Sequence, residues 1–293
     1  MTAFGAMAGS IEAFWVTAKS PTRPTPASPG ARLMNLVAHQ DDDLLFLSPA
    51  LLNAIRADAS VRTVFLTAGD AGEGIAYWSA REQGVQAAYA RMAGVRDVWS
   101  HSTVNAAGRS AEVFTLSALP SISLVFLRLP DGALDGSGNI AYHYQSLQKL
   151  YTGSIPEISA VDGSATYTRS SLISSLAAHM ASYRPTAIHT QDYVGHFGDG
   201  DHSDHHATAY FAQLANQQYL APHRFVGFED YGTAQRPANV AAADRSAKIR
   251  AFEAYADYDN HVCRPWSACA GTTFSPWVAR QYVVGVIPAR SAS

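Results

Sequence analysis

Short apolar runs suited to buried strands alternate with longer segments suited to helices along most of this chain. Leu33–Ala38 (LMNLVA) reads as a strand, followed by a helix over Leu44–Arg56, with Ser48-Pro49 suiting an N-cap and first-turn position within it. Arg62–Thr67 is a second strand and Ser79–Met92 a helix. Ser123–Leu129 is a third strand, closed by Pro130-Asp131-Gly132. Residues 135–170 carry few signals and read as a surface excursion. Then come a helix over Leu172–Tyr183, a short strand at Ala187–Thr190, a helix over Asp204–Tyr219 and a strand at His223–Glu229. A helix over Ala241–Asp257 and a closing strand at Gln281–Val286 complete the series.

Strands alternating with helices predict an α/β fold, a Rossmann-like, mostly parallel sheet with helices on both faces. Residues 32–293 are expected to form one domain. Residues 1–31, which include the Pro/Ser/Ala-rich stretch SPTRPTPASPG, read as an N-terminal tail or linker, with a processed leader left open. No internal repeat is visible.

Composition narrows the function classes. With 293 residues, 47% of them hydrophobic, the chain has material for a sizeable core. A net charge of -3 without a basic stripe gives no footprint for nucleic acid. No apolar run is long enough to span a bilayer. A soluble protein is expected, cytoplasmic or secreted. The two cysteines, Cys263 and Cys269, permit either a small disulfide loop or two unrelated buried thiols.

The polar segments fall where strands end. His39-Gln40-Asp41-Asp42-Asp43 follows the first strand, Asp70–Gly74 the second, Asp131 the third, and Asp192–His206 the strand at 187–190. In open α/β sheets, ligands bind beyond the carboxyl ends of the strands. Each segment has a plain alternative. The acidic run could be the first turn of a helix, and Gly198–His206 a solvated loop capped by Asp204. Together they supply His, Asp and His, a set that suits zinc with a position open for water. Asp131 could accept hydrogen bonds from a sugar or be a simple turn aspartate. Tyr193, Phe197 and Trp78 could form an aromatic wall or merely pack. His196 and His206 are extra imidazoles nearby, and His206 is the alternative ligand to His205. Trp266, Phe274 and Trp277 near the C-terminus would suit a large amphipathic substrate, or a packed core.

Strand-Ala38-His-x-Asp-Asp-acidic followed far later by His202-x-Asp-His205 resembles the LmbE-like or PIG-L family of zinc N-acetylglucosamine deacetylases. Thr67-Ala-Gly-Asp70, Arg81-Glu82 and Arg184-Pro185 extend the likeness over roughly residues 32–260. The family usually has Pro where this chain has Gln40, and often Glu where it has Asp43; neither is a metal ligand in the family. Within it, Ala38–Pro49 looks most like the deacetylases of glycopeptide-antibiotic pathways, which act on a teicoplanin-type pseudoaglycone. The resemblance implies one Zn2+ per chain on His39, Asp42 and His205, with Asp41 as general base. It implies His202 as the oxyanion-stabilising group, if protonated, and Arg81 as a contact to a sugar hydroxyl or phosphate. Asp204 is expected to hold an imidazole in its tautomer. Asp131, Tyr193 and His196 are further substrate-binding candidates. The implied reaction removes the N-acetyl group from an N-acetylglucosaminyl moiety. Alternatives are a small thiol-conjugated or lipid-linked amino sugar, or a metal-stabilised sugar-binding module without turnover. No G-x-G-x-x-G loop opens the first helix, which disfavours nucleotide binding.

Overall fold

A computed structural model describes residues 30–289, so the expected tail falls almost wholly outside the described residues. Among the described residues the strands are β1 (Arg32–Val37), β2 (Ser60–Thr67), β3 (Trp99–Ala106), β4 (Arg109–Leu116), β5 (Ile122–Leu129), β6 (Glu157–Ser159), β7 (Thr166–Thr168), β8 (Ala187–Thr190), β9 (Arg224–Phe228) and β10 (Val283–Ile287). Eight of them make one sheet in the order β10-β9-β8-β1-β2-β5-β4-β3, and β6 pairs with β7 apart from it. The central pairs β9-β8, β8-β1, β1-β2 and β2-β5 are parallel, and the outer pairs are antiparallel. This is the expected α/β architecture.

The helices are α1 (Asp42–Leu45), α2 (Ala50–Arg56), α3 (Ile75–Ala93), α4 (Leu147–Thr152), α5 (Arg169–Tyr183), α6 (Ser203–Gln218), α7 (Ala242–Ala256) and α8 (Phe274–Trp277). Two cores result, because the central strands are apolar toward both faces, as burial on both sides of a parallel sheet demands. On one face Val37, Phe65 and Phe126 pack with Val85, Tyr89 and Phe252 of α3 and α7. On the other, Met34, Val64 and Ile188 pack with Leu172, Leu176 and Phe211 of α5 and α6.

Three expectations change. The helix over 44–56 is two pieces, α1 and α2, separated at Ser48-Pro49. Proline disfavours the helical conformation in the residue before it. The β3–β4 hairpin was not expected. Its turn, Ala107-Gly108, has φ of 51° and 78°, as a two-residue turn with two left-handed positions requires. β3 is an edge strand with mostly exposed side chains, so no apolar pattern marks it. The excursion over 135–170 is not purely superficial. Leu147 and Leu150 of α4, Ile158 of β6 and Tyr167 of β7 are buried in the second core.

Cys263 and Cys269 form a disulfide, settling the choice between loop and free thiols. The segment it closes leads into α8, and one buried lysine ties that segment down. Lys248 on α7 is 1% exposed, and its Nζ donates to the carbonyls of Leu45 (2.5 Å), Trp277 (3.1 Å) and Arg280 (3.1 Å). Three donors meet three acceptors, so the end of α1, the end of α8 and α7 share one polar node. Among the described residues, no helix is long and apolar enough to cross a membrane.

Candidate metal centre and cleft

The loops after β1, β2, β5 and β8 converge at the carboxyl ends of the parallel strands. Asp42 opens α1 directly after β1, and its carboxylate sits between two imidazoles. Oδ2 lies 3.3 Å from His39 Nδ1, and Oδ1 lies 3.1 Å from His205 Nε2. Oδ2 also accepts the backbone N–H of His39 at 2.6 Å, which folds the turn onto itself. His202 and His205 arrive from the start of α6. The ring nitrogens of His39, His202 and His205 lie within 4.8 Å of one another.

Each imidazole is oriented by a partner. Asp204 Oδ2 lies 3.3 Å from His39 Nε2 and accepts the Gly132 backbone N–H at 2.8 Å. Only glycine fits at 132, because a Cβ there would stand 2.5 Å from Asp204 Oδ1. Asp201 Oδ1 is 2.8 Å from His205 Nδ1. His202 Nδ1 accepts the backbone N–H of Asp204 at 3.2 Å, so the proton of the neutral ring sits on Nε2. That nitrogen lies 3.9 Å from Asp131 Oδ1.

The electrostatics call for positive charge. Burial lowers His39, but Asp42, the bonded Asp204 and Asp131 outweigh it and push the imidazole up to about 10. Burial raises Asp42, yet His205 and His39 hold it well below the usual carboxylate range. His202 goes the other way: burial, then His39 and His205, hold it well below the usual imidazole range. It is a neutral N–H donor rather than a cation. Asp41 is raised by burial, against the pull of Arg81. Asp43 is raised by burial to about 8, against the Tyr89 hydroxyl that bonds it at 2.5 Å.

A divalent cation fits this donor set. His205 Nε2 is buried and makes no hydrogen bond although a carboxylate oxygen lies 3.1 Å away. Imidazole and carboxylate donors so disposed are those that zinc and similar ions take. The cavity above them is about 260 Å³. Asp41, His39, His202 and Asp131 line its polar side, and Phe46, Tyr231, Phe274 and Trp277 its apolar side. Tyr231 stacks on Trp277 with centroids 4.7 Å apart, and Phe274 and Phe46 meet the same indole edge-on.

The expected residues therefore divide. His39, Asp41, Asp42, Arg81, Asp131, His202, Asp204 and His205 come together. Tyr193 does not line the cavity: its ring packs on Phe225 and against Gly227 and Gly285. His196 is exposed beside Phe197, and Phe197 packs on Tyr151 and Tyr210. Trp78 lies under Arg128. His206 points away from His205, as successive helix positions must, and meets Asp199 Oδ1 at 3.0 Å. Asp201, Phe46 and Tyr231 were not anticipated. Asp201 stands four residues before His205, a spacing that could have suggested contact; nothing in sequence marks Phe46 or Tyr231.

The fold and this site define an α/β protein with an imidazole–carboxylate centre fit for a divalent cation at the ends of its parallel strands. The chain belongs to the PIG-L family: the family model described as GlcNAc-PI de-N-acetylase matches residues 34–216, more than half of the chain. No curated protein matches it. Among solved structures, it is similar to a triple mutant deacetylase, Orf2*T, of the teicoplanin biosynthetic pathway. That likeness has 16% identity and a TM-score of 0.49, and covers 90% of this chain and 100% of the other. The N,N'-diacetylchitobiose deacetylase of Pyrococcus horikoshii is similar at 11% identity and a TM-score of 0.49, over 88% of this chain and 84% of that one. The 4-carboxy-2-hydroxymuconate hydratase GalB of Pseudomonas putida is similar at 12% and 0.47, over 84% and 82%.

Proposed function

We propose that the protein is a zinc-dependent hydrolase that removes the N-acetyl group from an N-acetylglucosaminyl moiety. The observation that carries this reading is the meeting of His39, Asp41, Asp42 and His202 on one side of a single cavity, with His205 Nε2 3.1 Å from Asp42 just behind them. His39, Asp42 and His205 would hold the ion, which supplies a Lewis acid for the amide carbonyl and the attacking water. Asp41 takes the proton of that water as general base and returns it to the departing amine nitrogen. The water oxygen joins the carbonyl carbon, the C–N bond breaks, and acetate and a free amine result. His202 donates its Nε2 proton in a hydrogen bond to the developing oxyanion, and it does so as a neutral ring. Asp131 has the reach to accept hydrogen bonds from sugar hydroxyls.

The finer proposal is a glycopeptide pseudoaglycone as substrate. What supports it is the likeness of the Ala38–Pro49 run and the aromatic side of the cleft. Apolar side chains exposed on the loops at the same end of the sheet add to it: Leu134 is 57%, Ile140 73% and Val194 63% exposed. An amphipathic aglycone would cover such surface.

Acetate release from N-acetylglucosaminides tests the reaction. Activity should vanish with a chelator and return with zinc. Full-rate hydrolysis by metal-free protein would overturn it. A panel of pseudoaglycone, thiol-conjugated and lipid-linked substrates then ranks the acceptors.

A further inference from the structure

Arg81 on α3 lines the cavity, but its guanidinium is engaged at all three nitrogens. Nη2 bonds Asp41 Oδ1 at 2.5 Å, and Nη1 donates to the Gly69 carbonyl. Nε faces Tyr255 Oη at 2.5 Å and Asp259 Oδ2 at 3.1 Å. Arg81 is 7% exposed, Asp259 3% and Tyr255 0%. A buried guanidinium held between the buried Asp259 and the half-buried Asp41 has a fixed direction, because each carboxylate fixes one edge of the planar fork.

Asp259 is itself built in. Oδ2 accepts the Tyr255 hydroxyl at 2.5 Å, while Oδ1 accepts the Tyr77 hydroxyl at 2.8 Å and the His261 backbone N–H at 3.0 Å. Tyr255 reaches Arg81 because α7 packs close against α3 at Gly84. Gly84, one turn after Arg81, permits this: a Cβ there would stand 2.8 Å from the Tyr255 carbonyl and 2.9 Å from its ring. Three elements thus converge on one guanidinium, and the far end of that guanidinium meets the carboxylate next to the metal-binding Asp42.

We propose that Asp259 and Tyr255 are positioning residues that act through Arg81 to hold the Asp41 carboxylate over the cleft. In this role Arg81 is a strut for the base, and not the receptor of a substrate phosphate or hydroxyl. Its charge is shared by Asp41 and Asp259, which leaves an incoming anion with two carboxylates to face. The proposal rests on Asp41 being the general base.

The test compares kcat and KM for acetate release from an aryl N-acetylglucosaminide by zinc-loaded wild type, Asp259→Asn, Tyr255→Phe and Arg81→Lys. A displaced base should lower kcat about 10- to 100-fold. KM should stay within about twofold and the metal content at one per chain. Lysine keeps the charge of Arg81 but cannot span Asp41 and Asp259, so it should not rescue. A rise in KM with kcat unchanged would overturn the proposal in favour of a substrate contact, and so would wild-type values for all three variants. Tyr255→Phe removes a single hydroxyl and serves if Asp259→Asn fails to fold. A crystal structure of Asp259→Asn or Tyr255→Phe, both of which keep Arg81, decides independently of turnover. Loss of the Arg81–Asp41 bond sustains the proposal, and its retention overturns it. A wild type that releases no acetate from any N-acyl amino sugar defeats the functional reading instead.

Discussion

Asp201 Oδ1 lies 2.8 Å from Nδ1 of His205, one helical turn further on, and this bond turns Nε2 of His205 toward Asp42. Asp204 does the same for His39 from the opposite side, meeting its Nε2 so that Nδ1 faces Asp42. Two carboxylates thus aim two imidazoles at a third. Carboxylate partners of this kind fix the tautomer of a ligating histidine and raise its basicity.

Asp201→Asn should therefore weaken zinc binding about 10- to 100-fold while the fold persists. Competition against a chromophoric chelator of known affinity measures this directly. An unchanged affinity would mean that Asp201 only holds the backbone N–H groups of His202 and Tyr231, which it accepts at 2.7 and 3.1 Å.

Asp41→Asn should lower kcat for acetate release about 10²- to 10⁴-fold, the usual contribution of a positioned base. Metal content should stay at one per chain, because Asp41 is not in the expected ligand set. Elemental analysis beside steady-state kinetics separates the two. A variant with wild-type turnover would leave only a binding role for the site.

Phe274 stands at the cleft beside Trp277, with centroids 5.6 Å apart and planes nearly perpendicular. Phe274→Ala should raise KM for an aryl glycoside several-fold, the equivalent of about 1 kcal/mol of aromatic contact. KM for a glycoside with a small aliphatic aglycone should move much less. Equal changes for both substrates would show that the ring does not touch the aglycone.

Lys248→Met should cost about 2–5 kcal/mol, because it strips the donors from three carbonyls at a buried node. The urea unfolding midpoint reports the loss. A variant as stable as wild type would mean that water replaces the ammonium.

Acid should destabilise the protein through two histidines remote from the cleft. His179 on α5 is lowered to about 4 by burial and by Arg62, and His189 in β8 to about 3 by burial and by Arg224. The unfolded chain takes up these protons near pH 6.5, whereas the folded chain resists them. Stability is therefore whole above pH 6.5 and is lost as pH falls toward 4. For His179 alone the loss approaches about 3 kcal/mol. His179→Leu should flatten the fall in Tm between pH 6.5 and 4. An identical pH profile would reject this assignment.

Much of the fold was legible because local chemistry enforced it. β8 at Ala187–Thr190 appears with the expected bounds, and α6 and α7 lie within a residue or two of theirs. Short apolar runs between polar turns have few other places to go. The β3–β4 hairpin was illegible because an edge strand buries little and so imposes no pattern. The excursion over 135–170 hid its strands because β6 and β7 are three residues each, too short to show alternation.

The sequence by itself determined which chemical groups gather. His39, Asp41 and Asp42 fall in one short run, His202, Asp204 and His205 share the start of one helix, and parallel strands bring such segments to one end of the sheet. What each group faces was decided only in three dimensions. Asp204 serves His39 and not its neighbour His205. Asp201 serves His205, while His206 turns to Asp199. Arg81 meets Asp41, and the aromatic side of the cleft brings Phe46 and Tyr231 to Phe274 and Trp277 from distant parts of the chain. Spacing along a strand or helix sets which side chains share a face. It does not set which carboxylate reaches which imidazole or guanidinium, because those contacts join distant parts of the chain, 165 positions apart for His39 and Asp204, and depend on how closely helices such as α3 and α7 pack.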